Sequence, residues 1–139
     1  MKTVVRNRLR GGFTLVELTV VILIIGVIAT IAAPRFFDSV GTAKNKSAAQ
    51  TIEVMRNGIE LYRANNSAYP GADGTAATFK TDLATFLRKE FPTCQVGKTN
   101  ANIVFSAANP ITVTADAEAW IYNKTTGEIR INHADYITY

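Results

Sequence analysis

A nearly uninterrupted apolar stretch, FTLVELTVVILIIGVIATIAA, occupies residues 13–33 of this chain. A transmembrane helix needs about 20 predominantly apolar residues, so the stretch is long enough to cross a bilayer by itself. One charged side chain, Glu17, interrupts it. Because a charge inside hydrocarbon is costly, Glu17 requires a compensating partner.

The small residues that could mark a cleavage site lie before the apolar stretch. An ordinary secretory leader has its cleavage site after the apolar core, which is then discarded with the leader. Here Gly11 and Gly12 end the polar segment MKTVVRNRLRGG, and Phe13 follows. Cleavage after Gly12 would therefore leave the apolar stretch as the new N-terminus.

The residues Gly12, Phe13, Thr14, Leu15, Val16 and Glu17 resemble the processing signature of class III signal peptides, those of type IV pilins and pseudopilins. The resemblance is close over the first third of the chain and extends to the remainder only in architecture. It implies that a prepilin peptidase cuts between Gly12 and Phe13 and methylates the new amine of Phe13. It also implies that Glu17 pairs, during assembly, with the Phe13 amine of an adjacent subunit.

The net charge agrees with removal of a leader. The whole chain carries 15 Lys and Arg against 11 Asp and Glu. Four of the basic residues belong to the leader: Lys2, Arg6, Arg8 and Arg10. Without them the two signs balance at 11 each, so the charge does not predict a nucleic-acid partner. Basic residues beside a span stay cytoplasmic, which places the residues after Ala33 outside the cytoplasm.

The long helix is expected to continue beyond the apolar stretch. Apolar residues recur every three or four positions, which indicates an amphipathic helix. They are Ala48, Ile52, Met55, Ile59 and Tyr62. Pro34 lacks an N–H and clashes with the preceding turn, so we predict a helix kink there, and Gly26 weakens the helix a second time.

Four segments follow from these patterns. We predict a leader at residues 1–12, a transmembrane or filament-core helix at 13–34, an amphipathic half of the same helix at 35–66, and an exported globular part at 67–139.

The globular part should contain a loop, a short helix and a sheet. The loop at 65–78 is rich in turn residues, and the helix after it is expected to be capped by Thr78 or Thr81 and to pack on the amphipathic half. An apolar period of two then predicts short antiparallel strands. Their positions are 103–105, 111–113, 120–122 and 129–131, with a hairpin loop at 123–127 closed by Gly127 and a further edge strand at 136–139. The predicted fold class is α+β, a long N-terminal helix on a small antiparallel sheet, which is the ladle that the resemblance implies.

The sequence does not predict an enzyme. It contains no GxxxxGK, GxSxG or HExxH motif.

Asp116 and Glu118 are weak calcium candidates, since the resemblance implies a calcium-binding loop in major pseudopilins of type II secretion, and no other cofactor is expected. His133 is expected at the surface or at a strand end. Cys94, the single cysteine, is expected to be a structural or unpaired thiol, with bridging between subunits as the alternative.

The resemblance implies a membrane-anchored structural subunit that polymerises into a type IV pilus-like filament. Its expected partners are identical or related pilin subunits, the prepilin peptidase, an inner-membrane assembly platform with its ATPase, and membrane lipid before assembly. The expected location is the bacterial inner membrane and then a pilus or a periplasmic pseudopilus. Three alternatives stay open: a major or minor pseudopilin of a type II secretion system, a minor tip pilin that binds DNA or a surface, and an ordinary single-pass protein with a signal anchor.

Overall fold

A computed structural model of the chain describes residues 12–87 and 90–139. Its elements are the helices α1 (Leu15–Asn66) and α2 (Ala76–Ala84) and the strands β1 (Ile103–Phe105), β2 (Trp120–Tyr122) and β3 (Ile129–Ile131). The predicted α+β class is confirmed. A first compact unit ends at Val40, and the second is Gly41–Tyr139. Residues 1–11 of the predicted leader lie outside the described residues.

The helix α1 contains both predicted helical halves in one element of 52 residues. Its buried positions in the second unit include four of the predicted apolar residues, which are at most 1% exposed: Ala48, Ile52, Met55 and Ile59. Because residues three or four apart lie on one side of a helix, this spacing forms the side that faces the core. Pro34 lies inside α1, and the kinks predicted at Pro34 and Gly26 stay predictions.

The helix α2 begins earlier than predicted. Its N-cap is Thr75, so the prediction of Thr78 or Thr81 was wrong. Thr75 Oγ1 accepts a hydrogen bond from Thr78 N at 3.3 Å, and the Asp73 carboxylate accepts bonds from Thr75 N at 2.9 Å and Thr78 Oγ1 at 2.6 Å. The apolar spacing located the middle of the helix, whereas its start is set by the extended backbone and the hydroxyl of Thr75.

The helix α2 packs on the buried side of α1, as predicted. An added Cβ at Gly58 of α1 would lie 3.6 Å from Leu87 and 3.7 Å from Leu83, so these leucines lie within van der Waals distance of the position of that Cβ. Phe79 of α2 is fully buried, and its ring centroid lies 4.3 Å from that of Tyr122 in β2. The helix α2 is thus part of one core with α1 and the sheet.

The sheet is mixed and its strand order is β1-β2-β3. β2 and β3 are antiparallel, as predicted, but β1 and β2 are parallel, so the fully antiparallel sheet was a wrong prediction. The reason lies in the connections. A short loop at residues 123–128 can only form a hairpin, whereas residues 106–119 are long enough for the crossover of about a dozen or more residues that parallel strands need.

Two predicted strands are not strands in the part of the chain that the structure describes. Ile111 is buried, as its period suggested, but nearby the backbone N–H of Thr114 donates to Asn132 Oδ1 at 2.8 Å. Residues 134–138 form turns, and Arg130 Nη1 donates to Ile137 O at 2.7 Å. The side chains of Asn132 and Arg130 are thus hydrogen-bond partners of the backbone at Thr114 and Ile137.

The hairpin between β2 and β3 is confirmed. Gly127 has a φ of +76°, and its N–H donates to Asn123 O at 2.8 Å. A Cβ added at Gly127 would overlap the ring of Tyr69. Glycine is therefore required at this position both for the backbone conformation and for the contact with Tyr69.

Replacing Gly127 with alanine should lower the free energy of unfolding by about 2 kcal/mol or more, because the left-handed conformation alone costs about 1–2 kcal/mol and the methyl group displaces Tyr69. The measurement is denaturant unfolding of the full chain in detergent micelles, followed by the fluorescence of the single tryptophan, Trp120. Gly41→Ala is the matched control. Gly41 lies in α1 with nothing within 4 Å of an added Cβ, so alanine should stabilise by about 0.8–1 kcal/mol there. Equal effects of the two substitutions would contradict the role of Gly127.

Candidate functional site

The first turn of α1 contains a reciprocal set of hydrogen bonds between Thr14 and Glu17. Glu17 Oε2 accepts bonds from Thr14 N and Thr14 Oγ1, each at 2.8 Å. In return, the Glu17 N–H donates to Thr14 Oγ1 at 3.2 Å. This is the capping-box arrangement, in which an N-cap hydroxyl and a glutamate three residues later satisfy each other's backbone N–H groups.

The capping box gives Glu17 partners within its own chain. The sequence prediction compensated the charge of Glu17 with the Phe13 amine of a neighbouring subunit, and it gave Thr14 no role of its own. The missing signal was present in the pattern Thr14-Leu15-Val16-Glu17, because Thr followed three residues later by Glu before an apolar run is the sequence signature of a capping box. Thr14 is thus a residue of the site that sequence reasoning missed.

The predicted cleavage site lies immediately before this turn. Residues 12–14 precede α1 and are not helical, and Phe13 is 88% exposed. Within residues 12–87 and 90–139, and apart from Gly12 and its neighbour in the chain, no atom lies within 4 Å of the position that a Cβ on Gly12 would take. A non-helical, exposed peptide bond is the kind that a protease can bind in an extended form. The bond between Gly12 and Phe13 is therefore accessible in the described structure.

The rest of the first unit is an exposed apolar helix. The helix α1 is long and apolar enough to cross a membrane, judged by length and composition. Its apolar side chains up to Phe37 are about half exposed or more. The hydroxyls of Thr19 and Thr30 donate to the carbonyls of Val16 at 2.9 Å and Val27 at 2.7 Å. These hydroxyls are bonded within the helix, which reduces their cost in an apolar environment.

The comparison with known families matches the same segment. The family model described as "Prokaryotic N-terminal methylation motif" matches residues 7–33. The chain is similar to the type II secretion system core protein G of Vibrio cholerae, with 33% identity over 68 residues, and to a fimbrial protein of Neisseria meningitidis, with 34% identity over 70 residues. Over this segment the chain resembles type IV pilins and pseudopilins.

The similarity to these pilins and pseudopilins is partial. The aligned region covers 49% of this chain and 47% of the Vibrio cholerae protein, and 50% of this chain and 41% of the Neisseria meningitidis protein. A third relative, the core protein G of Escherichia coli, is 37% identical over 59 residues, which are 41% of its length. The chain therefore aligns over less than half the length of these relatives. No solved structure matches the chain significantly.

The remaining candidate residues from the sequence are Asp116, Glu118, His133 and Cys94. Within residues 12–87 and 90–139, no group of three or more His, Cys, Asp or Glu side chains could hold a metal. Asp116 is exposed and Glu118 is half-buried. His133 follows β3, and its Nδ1 lies 3.8 Å from the exposed carboxylate of Asp135, which agrees with a histidine at a strand end.

Cys94 is a buried structural thiol. It is 1% exposed, and its Sγ donates a hydrogen bond to Val96 O at 3.2 Å. Burial raises the pKa of the Cys94 thiol, which disfavours the reactive thiolate. The folded second unit therefore does not present Cys94 for bridging between subunits.

Replacing Thr14 with alanine should destabilise the first turn of α1 by about 0.5–2 kcal/mol, the usual effect of losing an N-cap hydroxyl. The measurement is amide hydrogen exchange of the first-turn N–H groups in the full chain in micelles, which should become several-fold faster. Thr14→Ser keeps the hydroxyl and should exchange like the unaltered chain. Thr19→Ala is a second control, because Thr19 bonds a carbonyl but caps nothing. Unchanged exchange in Thr14→Ala would show that the capping box does not stabilise the turn.

Proposed function

We propose that this chain is a structural subunit of a type IV pilus-like filament. A prepilin peptidase cuts it after Gly12 and methylates the amine of Phe13, and the helix at residues 13–34 then anchors it in the cytoplasmic membrane and later forms the filament core. The observation that carries this proposal is the position of Glu17. It is the single charge of the apolar stretch, and it lies one turn from the N-terminus that cleavage would create.

The cost of Glu17 in a membrane favours assembly. A charged residue at the centre of a membrane helix costs roughly 2.5–3.5 kcal/mol, and a carboxylate near a helix N-terminus regains only about 0.3–1 kcal/mol from the helix dipole. The hydrogen bonds from Thr14 offset part of the free-energy cost that the helix dipole leaves uncompensated. Both bonds go to Oε2, so within the described residues the Thr14 bonds leave Oε1 for a positively charged amine. The new amine of Phe13 in an adjacent subunit has the charge that this position needs.

The apolar side chains of residues 13–34 limit which interactions can drive the association of these helices in the membrane. In lipid, apolar helices gain no hydrophobic energy from one another, so packing and polar pairs must drive their association. A charge pair between Glu17 and a neighbouring Phe13 would also fix the axial register of adjacent helices. The second unit, with its own buried core, would remain outside the cytoplasm and form the filament surface.

The proposed partners follow from this sequence of events. They are related pilin subunits, the prepilin peptidase, membrane lipid before assembly, and an inner-membrane platform with its ATPase. The chain itself contributes no catalytic group to the proposal. Basic residues before the apolar helix keep its N-terminus cytoplasmic until cleavage.

A second candidate function is that of a pseudopilin in a type II secretion system. The names of the relatives support it, since the similar proteins of Vibrio cholerae and Escherichia coli are core proteins G of such systems. The processing and assembly chemistry would be the same in both functions. Electron microscopy of cells that overexpress the chain separates them, because long extracellular fibres favour a pilus, whereas loss of protein export on deletion of the gene favours the pseudopilus.

Replacing Glu17 with alanine should leave cleavage after Gly12 intact and reduce filament formation by at least about tenfold, since each 1.4 kcal/mol lost from an association is a factor of ten. Sheared filament fractions, negative-stain microscopy and N-terminal sequencing measure the two effects separately. Glu53→Ala is the matched control, because Glu53 also lies on α1 but forms an exposed pair with Arg56. Normal filaments from Glu17→Ala would overturn the proposed role of the charge.

Replacing Gly12 with valine should cause the uncut precursor to accumulate, because a branched side chain next to the scissile bond adds bulk where the peptidase must bind the chain closely. Mass spectrometry of the membrane fraction distinguishes the precursor from a product that begins at Phe13. Gly41→Val, far along α1, should be processed normally. Efficient conversion of Gly12→Val to the Phe13 product would refute this cleavage site.

A further inference from the structure

The loop at residues 114–118, called the 114–118 loop below, turns several backbone carbonyls toward side-chain donors. Lys98 Nζ donates to Thr114 O at 3.3 Å and also to Asp116 O. Asn100 Nδ2 donates to Ala117 O at 2.9 Å. The loop is thus bonded to residues that lie 16 to 18 positions earlier in the chain.

Asn132 holds the same loop from the other side. Its Nδ2 donates to Glu118 O and to Thr114 Oγ1, each at 3.0 Å, and its Oδ1 accepts from Thr114 N at 2.8 Å. Asn132 is fully buried, and its backbone N–H donates to Ala119 O. The 114–118 loop is therefore fastened to the end of β3 as well as to residues 98 and 100.

The backbone turn that contains Lys98 lies close to the 114–118 loop, which its ammonium group contacts. Gly97 has a φ of +62°, and a Cβ there would lie 2.9 Å from the side chain of His133. Asn100 O accepts a bond from Cys94 N at 3.0 Å, which closes the turn that contains Lys98. This turn lies against the residue that follows Asn132, so Lys98 and Asn132 reach the 114–118 loop from neighbouring positions.

These residues do not fit a calcium ion. Calcium takes six to eight oxygen ligands, and backbone carbonyls with carboxylates are its usual donors. Here the carbonyls of Thr114 and Asp116 already accept from an ammonium group, which has three donors and no acceptor. A calcium ion at the same carbonyls would be repelled by the charge of Lys98. The carboxylates of Asp116 and Glu118 belong to no cluster of three potential ligands in the described part of the chain.

We infer that the Lys98 ammonium replaces a divalent cation in this loop. It supplies a positive charge and several donors to the carbonyls that a metal would otherwise bind, and Asn100 and Asn132 satisfy the neighbouring carbonyls. The ammonium group of Lys98 therefore holds the 114–118 loop in the folded second unit. The stability of this unit does not depend on calcium. This inference does not require that the chain form filaments.

The test is thermal unfolding of the full chain in detergent micelles, followed by Trp120 fluorescence, in millimolar calcium chloride and in EGTA. The unaltered chain should have the same midpoint in both. Lys98→Met keeps the length of the side chain and removes its charge, and it should lower the midpoint by about 5–10 °C. Lys46→Met is the matched control, because Lys46 is exposed on α1, and its midpoint should not change.

A rise of several degrees in the midpoint of the unaltered chain on adding calcium would overturn the inference, as would identical midpoints for Lys98→Met and Lys46→Met. Lys98→Arg retains a cation with several donors and guards against a Lys98→Met chain that does not fold. Its midpoint should lie above that of Lys98→Met, or it should fold where Lys98→Met does not. A Lys98→Arg chain as unstable as Lys98→Met would show that the loop does not need the charge.

Discussion

The hydrogen bonds between Thr14 and Glu17 allow a charge to exist at the start of an apolar helix. They satisfy backbone N–H groups that the first turn leaves without partners, so α1 begins directly after Thr14. The peptide bond between Gly12 and Phe13 consequently lies outside the helix, where a protease can reach it. The same bonds place the Glu17 carboxylate one turn from the N-terminus that the proposed cleavage would create. In the proposed function, cleavage and assembly would both use this single turn.

The second unit has no internal disulfide, since Cys94 is the single cysteine of the sequence. Apolar side chains of α1, α2 and the sheet form one core, and buried polar groups are bonded throughout the described part of the unit. Asn132 and Lys98 hold the 114–118 loop by donating to backbone carbonyls. The inference that Lys98 replaces a divalent cation fits a second unit that is held together by its apolar core and by these hydrogen bonds.

The sequence predicted the parts of the structure that depend on local spacing. A step of three or four residues identified the buried side of α1, and Gly127 was correctly placed at a left-handed turn. The predictions failed where a hydrogen bond from a polar side chain, and not the spacing of apolar residues, sets the local structure. Thr75 and not Thr78 or Thr81 caps α2, and Thr114, directly after the strand predicted at 111–113, donates its backbone N–H to Asn132. Thr14 was overlooked although its capping-box pattern was readable in the sequence.

The sequence by itself determined the membrane-length helix, the position of its one charge, the cleavage motif and the two periods of the apolar residues. These are properties of neighbouring residues, and local sterics and burial suffice to produce them. The tertiary structure alone decided that β1 runs parallel to β2 and that Lys98 meets the carbonyls of Thr114 and Asp116. Both features join residues far apart in the chain, so their geometry depends on how the connecting segments pack over the common core.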